Sequence, residues 1–465
     1  MKTGKWCYLL PVIGVVFGLW YVRSAFVDVV YSDYIRLVNS YLPDVWDPSK
    51  FFVGDILTRI PLNYAARIVN VTFFGYSIRF DQTLGIIFLG VSALQITAYG
   101  VRQNIGAVWI ISLMAVIFSL NKWEMMINGS GWIHFLAFAG FYCHYLVLER
   151  VWQGGEKKND RLWLLTLPWI VTIGMAGPYC AVYTVTLVLA YGLAMGLKKA
   201  GGGQWEKRYL LYAASAMVPL LLYMWSSSLA EPEKLGVAEV SLMTQFLDTP
   251  GFFLRFFIKS FSSMVMGVEC AQAVFATNTP YFVLGIAVMG GYGLALWQQW
   301  RYGLYKETVF PLMLLCSGGL NHILIMVSRW VFLREDYGMS SRYALQFQVG
   351  ILGMLLTFGL AGRKMAAEKR GTWAKGLIRC FMAAVTVLLL AGNGYTTAQE
   401  VKKAPIRKEY CAARARLALD FENRTDEELK ANFEYHMSRP EGGAEVREAL
   451  EILKKQQWNI FRQPN

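Results

Sequence analysis

Apolar runs of roughly 18–22 residues recur along almost the whole chain, each about the length that crosses a hydrocarbon core as a helix. Backbone in lipid must satisfy its own hydrogen bonds, so such runs are read as helices. A transmembrane barrel would show alternating segments of about ten residues instead, and none is present. Composition agrees: 55% of residues are hydrophobic and only 17% charged, against about 25% charged in an ordinary soluble domain. The sequence therefore predicts an all-α integral membrane protein with about eleven transmembrane helices.

The expected spans cover residues 6–21, 83–100, 105–120, 131–148, 162–176, 179–197, 209–225, 281–300, 309–330, 344–361 and 377–391. Lys2 and Lys5 precede the first run without a small-residue cleavage site, the pattern of an uncleaved signal anchor. Placing the N-terminus in the cytoplasm puts Arg102, Arg150, Lys157, Lys158, Arg161, Lys198, Lys199, Lys207, Arg208, Arg301, Lys306, Arg363, Lys364, Lys369, Arg370 and Lys375 in inner loops. That is the asymmetry the positive-inside rule requires. The chain is accordingly expected in the cell membrane, multi-pass, with an extracytoplasmic C-terminus. The net charge of +13 is explained by these loops, and no zinc-finger or RNA-binding signature points to nucleic acid. Seven cysteines without CxxC spacing read as packing residues, with one bridge, Cys270 to Cys411, left open.

This orientation places two long loops outside, 23–82 and 226–280, with a charged loop before the tenth span and the tail. Long loops in a compact protein are usually functional. The chain divides into a transmembrane domain, 1–391, and a small helical tail, 392–465. Short helices on the membrane surface are expected over 56–68, interrupted by Pro61, and over 249–265 the phenylalanine-rich segment reads as an interfacial or a covered core helix. The tail is expected to form helices over 405–421, 426–437 and 444–457, with Thr425 as a helix start. Its cluster Lys402, Lys403, Arg407, Lys408, Arg414 and Arg416 reads as a headgroup-binding or a solvated face. No internal repeat is evident.

Three outer segments carry groups suited to chemistry. Asp28 and Asp33 follow the first span, where a carboxylate is partly desolvated and becomes a stronger base for an acceptor hydroxyl. Tyr34 and Arg36 stand beside them. The loop 121–131 supplies Glu124 and Asn128 to hold an acceptor, with Glu124 also placed for a divalent metal ion, and Trp123 to stack on a sugar ring. The segment 328–343 holds Arg329, Arg334, Arg342 and Tyr343 at the membrane surface, and arginine grips phosphate in a bidentate manner. His322, in the outer half of its span, is a further phosphate contact or a packing residue. His134 and His144 share one span without a third ligand and give no metal site.

The layout resembles the GT-C glycosyltransferases, multi-span enzymes that use a polyprenyl-phosphate-linked sugar. The resemblance rests on Asp33 within Tyr31-Ser32-Asp33-Tyr34, on the surface-helix segment up to Phe80, and on the topology of most of the chain. It implies that Asp33 is the general base. It also implies that Asp28, Tyr34, Arg36, Trp123, Glu124 and Asn128 contact the acceptor. Arg342, Tyr343, Arg329, Arg334 and His322 would hold the donor phosphate. The partners implied are the polyprenyl-phosphate sugar, a cell-envelope glycan or lipid acceptor and membrane lipids. The family's acidic pair directly after the first span is replaced here by Asp28 and Asp33, five residues apart, so the choice of base stays open; Asp33 is preferred because Arg36 and two tyrosines flank it. Three other functions share these features: a flippase or transporter of lipid-linked saccharides, a polymerase weighted on 226–280, and a non-enzymatic assembly subunit.

Overall fold

The computed structural model describes residues 4–52, 61–228, 237–368, 373–435 and 440–462. The described residues form helices joined by turns, with no strand. In order they are α1 (Leu9–Ala25), α2 (Asp33–Tyr41), α3 (Pro61–Phe74), α4 (Ile78–Arg102), α5 (Ala107–Ile117), α6 (Trp123–Ile127), α7 (Trp132–Trp152), α8 (Asp160–Val171), α9 (Cys180–Ala200) and α10 (Lys207–Ser228). There follow α11 (Leu242–Asp248), α12 (Pro250–Ser262), α13 (Val268–Val274), α14 (Thr279–Arg301), α15 (Leu304–Glu307), α16 (Phe310–Arg329), α17 (Ala344–Ala367), α18 (Trp373–Leu419), α19 (Asp426–Asn432) and α20 (Gly442–Lys455).

Among the described residues, ten helical segments are long and apolar enough to cross a membrane. The expected span 162–176 is not among them. It forms α8 and then a five-residue π turn, Thr172–Ala176. Pro168 sits inside α8 and removes an N–H from its ladder. Gly177 then ends the segment at φ +52, which a residue with a Cβ rarely adopts. The flanks of the bundle are apolar: Leu9, Val12, Ile13 and Val16 on α1 and Leu210, Leu211 and Leu221 on α10 are exposed. A surface of that kind is stable in lipid rather than in water.

The two ends of the bundle differ. At one end the short basic loops are tied together: Arg363 donates to the carbonyls of Gln103 and Asn104, and Lys364 pairs with Glu307. Glu149 of α7 is buried there and accepts from Thr308 at 2.6 Å and from the backbone of Val309 and Phe310 at 2.8 and 3.0 Å. It satisfies orphan donors at the start of α16, where an acidic side chain complements the positive end of the helix dipole.

The other end carries the long loops. Pro61 opens α3 at the first helical position, which its missing N–H suits; the rest of the surface helix expected from residue 56 lies outside the described residues. The phenylalanine-rich segment is the covered alternative. Phe252, Phe253, Phe256 and Phe261 of α12 are all buried. A Cβ on Gly285 of α14 would lie 2.2 Å from the Ile258 carbonyl, so this glycine permits the close packing of the two helices.

The tail has no break at Gly392. The last span and the first tail helix are one helix of 47 residues, α18, with Pro405 inside it. At 1.5 Å per residue it runs for about 70 Å, more than twice a hydrocarbon core. Thr425 forms a full capping box with Glu428 at the start of α19, as its position predicts. From there α20 packs back on α2, where Asn39 donates to the Glu445 carbonyl at 2.9 Å. All seven cysteines are free thiols, so Cys270 and Cys411 are not bridged.

Candidate functional site

The segment between α1 and α2 is held by the C-terminal tail and by the start of α4. Ser32, at φ +52, precedes Asp33, and its N–H donates to the Phe433 carbonyl of the tail at 2.8 Å. A left-handed serine is strained by roughly 1–3 kcal/mol, so this turn persists because its surroundings fix it. It opens α2 with Asp33 at the first position.

The aspartates separate clearly. Asp28 accepts from the Ser77 hydroxyl, from the Ile78 N–H at 2.8 Å and from the Asn459 amide at 3.2 Å. It caps α4 from another part of the chain and ties the tail to the first loop. Burial pushes its carboxyl above the ordinary range. Both Asp28 oxygens are thus engaged by groups of the protein itself. Asp33 is half-buried and has no hydrogen bond or ion pair among the described residues. Its charge acts on Arg342.

Glu124 and Arg342 meet as expected from their loops. One Glu124 oxygen accepts from the Arg342 Nε and the other from the Ser341 hydroxyl at 2.9 Å. Both Glu124 oxygens are thus engaged by groups of the protein itself. No group of three or more His, Cys, Asp or Glu is placed for a metal among the described residues.

Beside this pair lies a cavity of about 150 Å³, lined by Tyr31, Trp123, Glu124, Asn128, Arg342, Arg407, Arg414 and Glu434 among others. Three guanidiniums and two carboxylates share this lining, and Arg414 pairs with Glu434 at 2.5 Å as Arg342 does with Glu124. Burial pushes the Tyr31 phenol up, which keeps it a neutral hydroxyl. Arg407 covers one face of Trp123, 3.2 Å from the ring centroid, and pairs with Glu400 and Glu269 at 2.6 and 3.0 Å. One face of Trp123 is therefore occupied by a guanidinium. Asn128 turns back on its own loop and accepts from Ser130.

The remaining expected residues are dispersed. Tyr34 is buried and donates to Asp81 at 2.6 Å; Asp81 also pairs with the wholly buried Arg67. Tyr34 thus ties the start of α2 to α4. Arg36 is half-buried on the same helix and has a partner of its own. Arg329 lies over the Tyr343 ring at 5.9 Å, and Arg334 pairs with Asp336 at 3.0 Å. His322 is stacked between Phe261 and Phe347 at 3.7 and 3.9 Å, with Ser260 on its Nδ1 at 2.8 Å. It is a packing residue and lines neither the cavity nor the Arg342 cluster. His144 likewise bonds Tyr183 and Tyr191.

Sequence reasoning did not place Arg407, Arg414 and Glu434 at this site. The basic cluster on the tail was the available signal, but α18 turns Arg407 and Arg414 inward while Lys402, Lys408 and Arg416 stay exposed. No family model, no curated protein and no solved structure matches the chain.

Proposed function

We propose that this chain is a multi-span membrane glycosyltransferase of the GT-C type, moving a sugar from a polyprenyl-phosphate donor to a glycan or lipid acceptor on the extracytoplasmic face. One observation carries the reading. Asp33 has no partner among the described residues, lies within electrostatic reach of Arg342, and stands at the end of the bundle that holds the guanidinium-rich cavity.

In this reading the acceptor hydroxyl loses its proton to Asp33 as its oxygen bonds to the anomeric carbon. The bond from that carbon to the phosphate oxygen breaks, and the electron pair leaves with the polyprenyl phosphate. Arg342 stabilises that charge, and attack opposite the leaving group inverts the anomeric centre. Glu124 holds Arg342 in place. The topology that goes with this reading has the N-terminus in the cytoplasm and Asp160–Ala176 as a short eleventh crossing of roughly 25 Å.

Purified protein incubated with labelled polyprenyl-phosphate sugars tests the proposal through release of free polyprenyl phosphate. Release is expected. No release from any donor, by folded protein that binds the lipid, would end the proposal and favour a flippase or a non-enzymatic assembly subunit.

A further inference from the structure

We propose that a cleft between α1 and α4 binds the phosphate headgroup of a membrane phospholipid, whatever reaction the protein catalyses. The cleft has a volume of about 200 Å³ and is lined by Leu19, Val22 and Arg23 of α1 and by Arg79, Gln82 and Thr83 of α4. Both arginines stand where α1 ends and α4 begins, the level at which headgroups meet an apolar bundle.

Neither guanidinium has a hydrogen bond or ion pair among the described residues. Most arginines of this end are satisfied: Arg67 by Asp81, Arg342 by Glu124, and Arg407 by Glu400 and Glu269. Asp28 feels the charge of Arg79 without pairing with it, because its oxygens are taken by Ser77, Ile78 and Asn459. Two like charges lining one small cleft repel, and a bound phosphodiester removes that cost while accepting from both forks.

The other walls select the rest of the ligand. Gln82 is 2% exposed; its Nε2 donates to the Ile127 carbonyl at 2.5 Å, and its Oε1 accepts nothing. Thr83 uses its hydroxyl hydrogen on the Arg79 carbonyl at 2.7 Å and so offers only an acceptor. Leu19 and Val22 make the cleft apolar on the α1 side. Leu19 continues the helical stripe of Val16 and Val12, both about 60% exposed, which gives acyl chains a path along α1. An inorganic phosphate would satisfy the guanidiniums and leave that stripe unused.

The test uses the full chain, purified and delipidated in mild detergent. Dioleoylphosphatidylglycerol, dioleoylglycerol and inorganic phosphate are each added to wild type and to the Arg23→Gln/Arg79→Gln double variant, with thermal stability and native mass spectrometry as readouts. The phospholipid is expected to raise the wild-type Tm and to remain bound, while dioleoylglycerol does neither. The double variant should keep the lipid-free Tm, since both side chains are exposed, and bind the phospholipid about tenfold or more weakly. An Arg23→Lys/Arg79→Lys variant should recover part of the affinity. Equal retention by the Gln variant, or an equal effect of dioleoylglycerol, would overturn the phosphate site. An equal effect of inorganic phosphate would overturn the lipid as its source.

Discussion

Glu124 holds Arg342 across 218 residues of sequence, with Ser341 occupying its second oxygen. The pair sets the position of a guanidinium that feels the charge of Asp33. Arg342 is 46% exposed, so water screens the pair and its worth is about 1 kcal/mol. Glu124→Ala should therefore lower kcat/KM about fivefold to tenfold through a raised donor KM, whereas Glu124→Gln should lose less. A steady-state titration of donor separates the two. A complete loss with Glu124→Gln would show that Glu124 reacts rather than positions.

The buried pair of Arg67 and Asp81 beneath α2 is a matter of stability. Both side chains are fully buried, and removing one partner leaves an uncompensated charge in an apolar setting. Arg67→Ala should cost about 3–5 kcal/mol, and Arg67→Met/Asp81→Leu should recover most of it. Thermal unfolding in detergent checks both.

Asp28 predicts a pH dependence. Its carboxyl is raised in the folded state by burial, against the hydrogen bonds of Ser77, Ile78 and Asn459. Such a group contributes stability that is full below the ordinary aspartate value of about 3.9 and is lost as pH rises through the folded value. The Tm of wild type relative to Asp28→Asn should therefore be highest at acidic pH and fall as the pH is raised. A flat difference across the series would contradict the assignment.

Gly129 bears on α2 directly. A Cβ there would lie 2.4 Å from the Tyr34 hydroxyl and 3.0 Å from the Ile78 carbonyl. Gly129→Ala must move Tyr34, and with it the helix that begins at Asp33. The expected result is an activity loss of about tenfold or more with a stability cost of roughly 1–3 kcal/mol. Unchanged activity would show that the placement of Asp33 tolerates such a shift.

The membrane class, and most of the spans, were legible because apolar length is a local property that survives without knowledge of packing. Two boundaries were not. Pro168 and Gly177 shorten the segment before α9 in a way hydropathy does not register, and Gly392 and Pro405 look like helix ends yet lie inside α18. The capping box at Thr425 was readable because it is written in four consecutive residues.

The candidate site was legible only by region. Asp33 is preferred over Asp28 on its flanking residues alone, and the structure separates the two by the partners that Asp28 draws from Ser77 and Asn459, 49 and 431 residues away. Arg407 and Arg414 were visible as charge but not as lining, because the side of α18 that faces the bundle depends on its unbroken continuation from the last span. His322 shows the reverse: a histidine at a suggestive depth turns out to be stacked between two phenylalanines.

The central claim is that Asp33 accepts the acceptor's proton while Arg342 holds the leaving phosphate. Its most direct test is release of polyprenyl phosphate from a labelled donor by wild type, Asp33→Asn and Arg342→Ala, each shown to be folded. The account predicts that Asp33→Asn abolishes release while keeping donor binding, and that Arg342→Ala weakens donor binding. Full release by Asp33→Asn would contradict it.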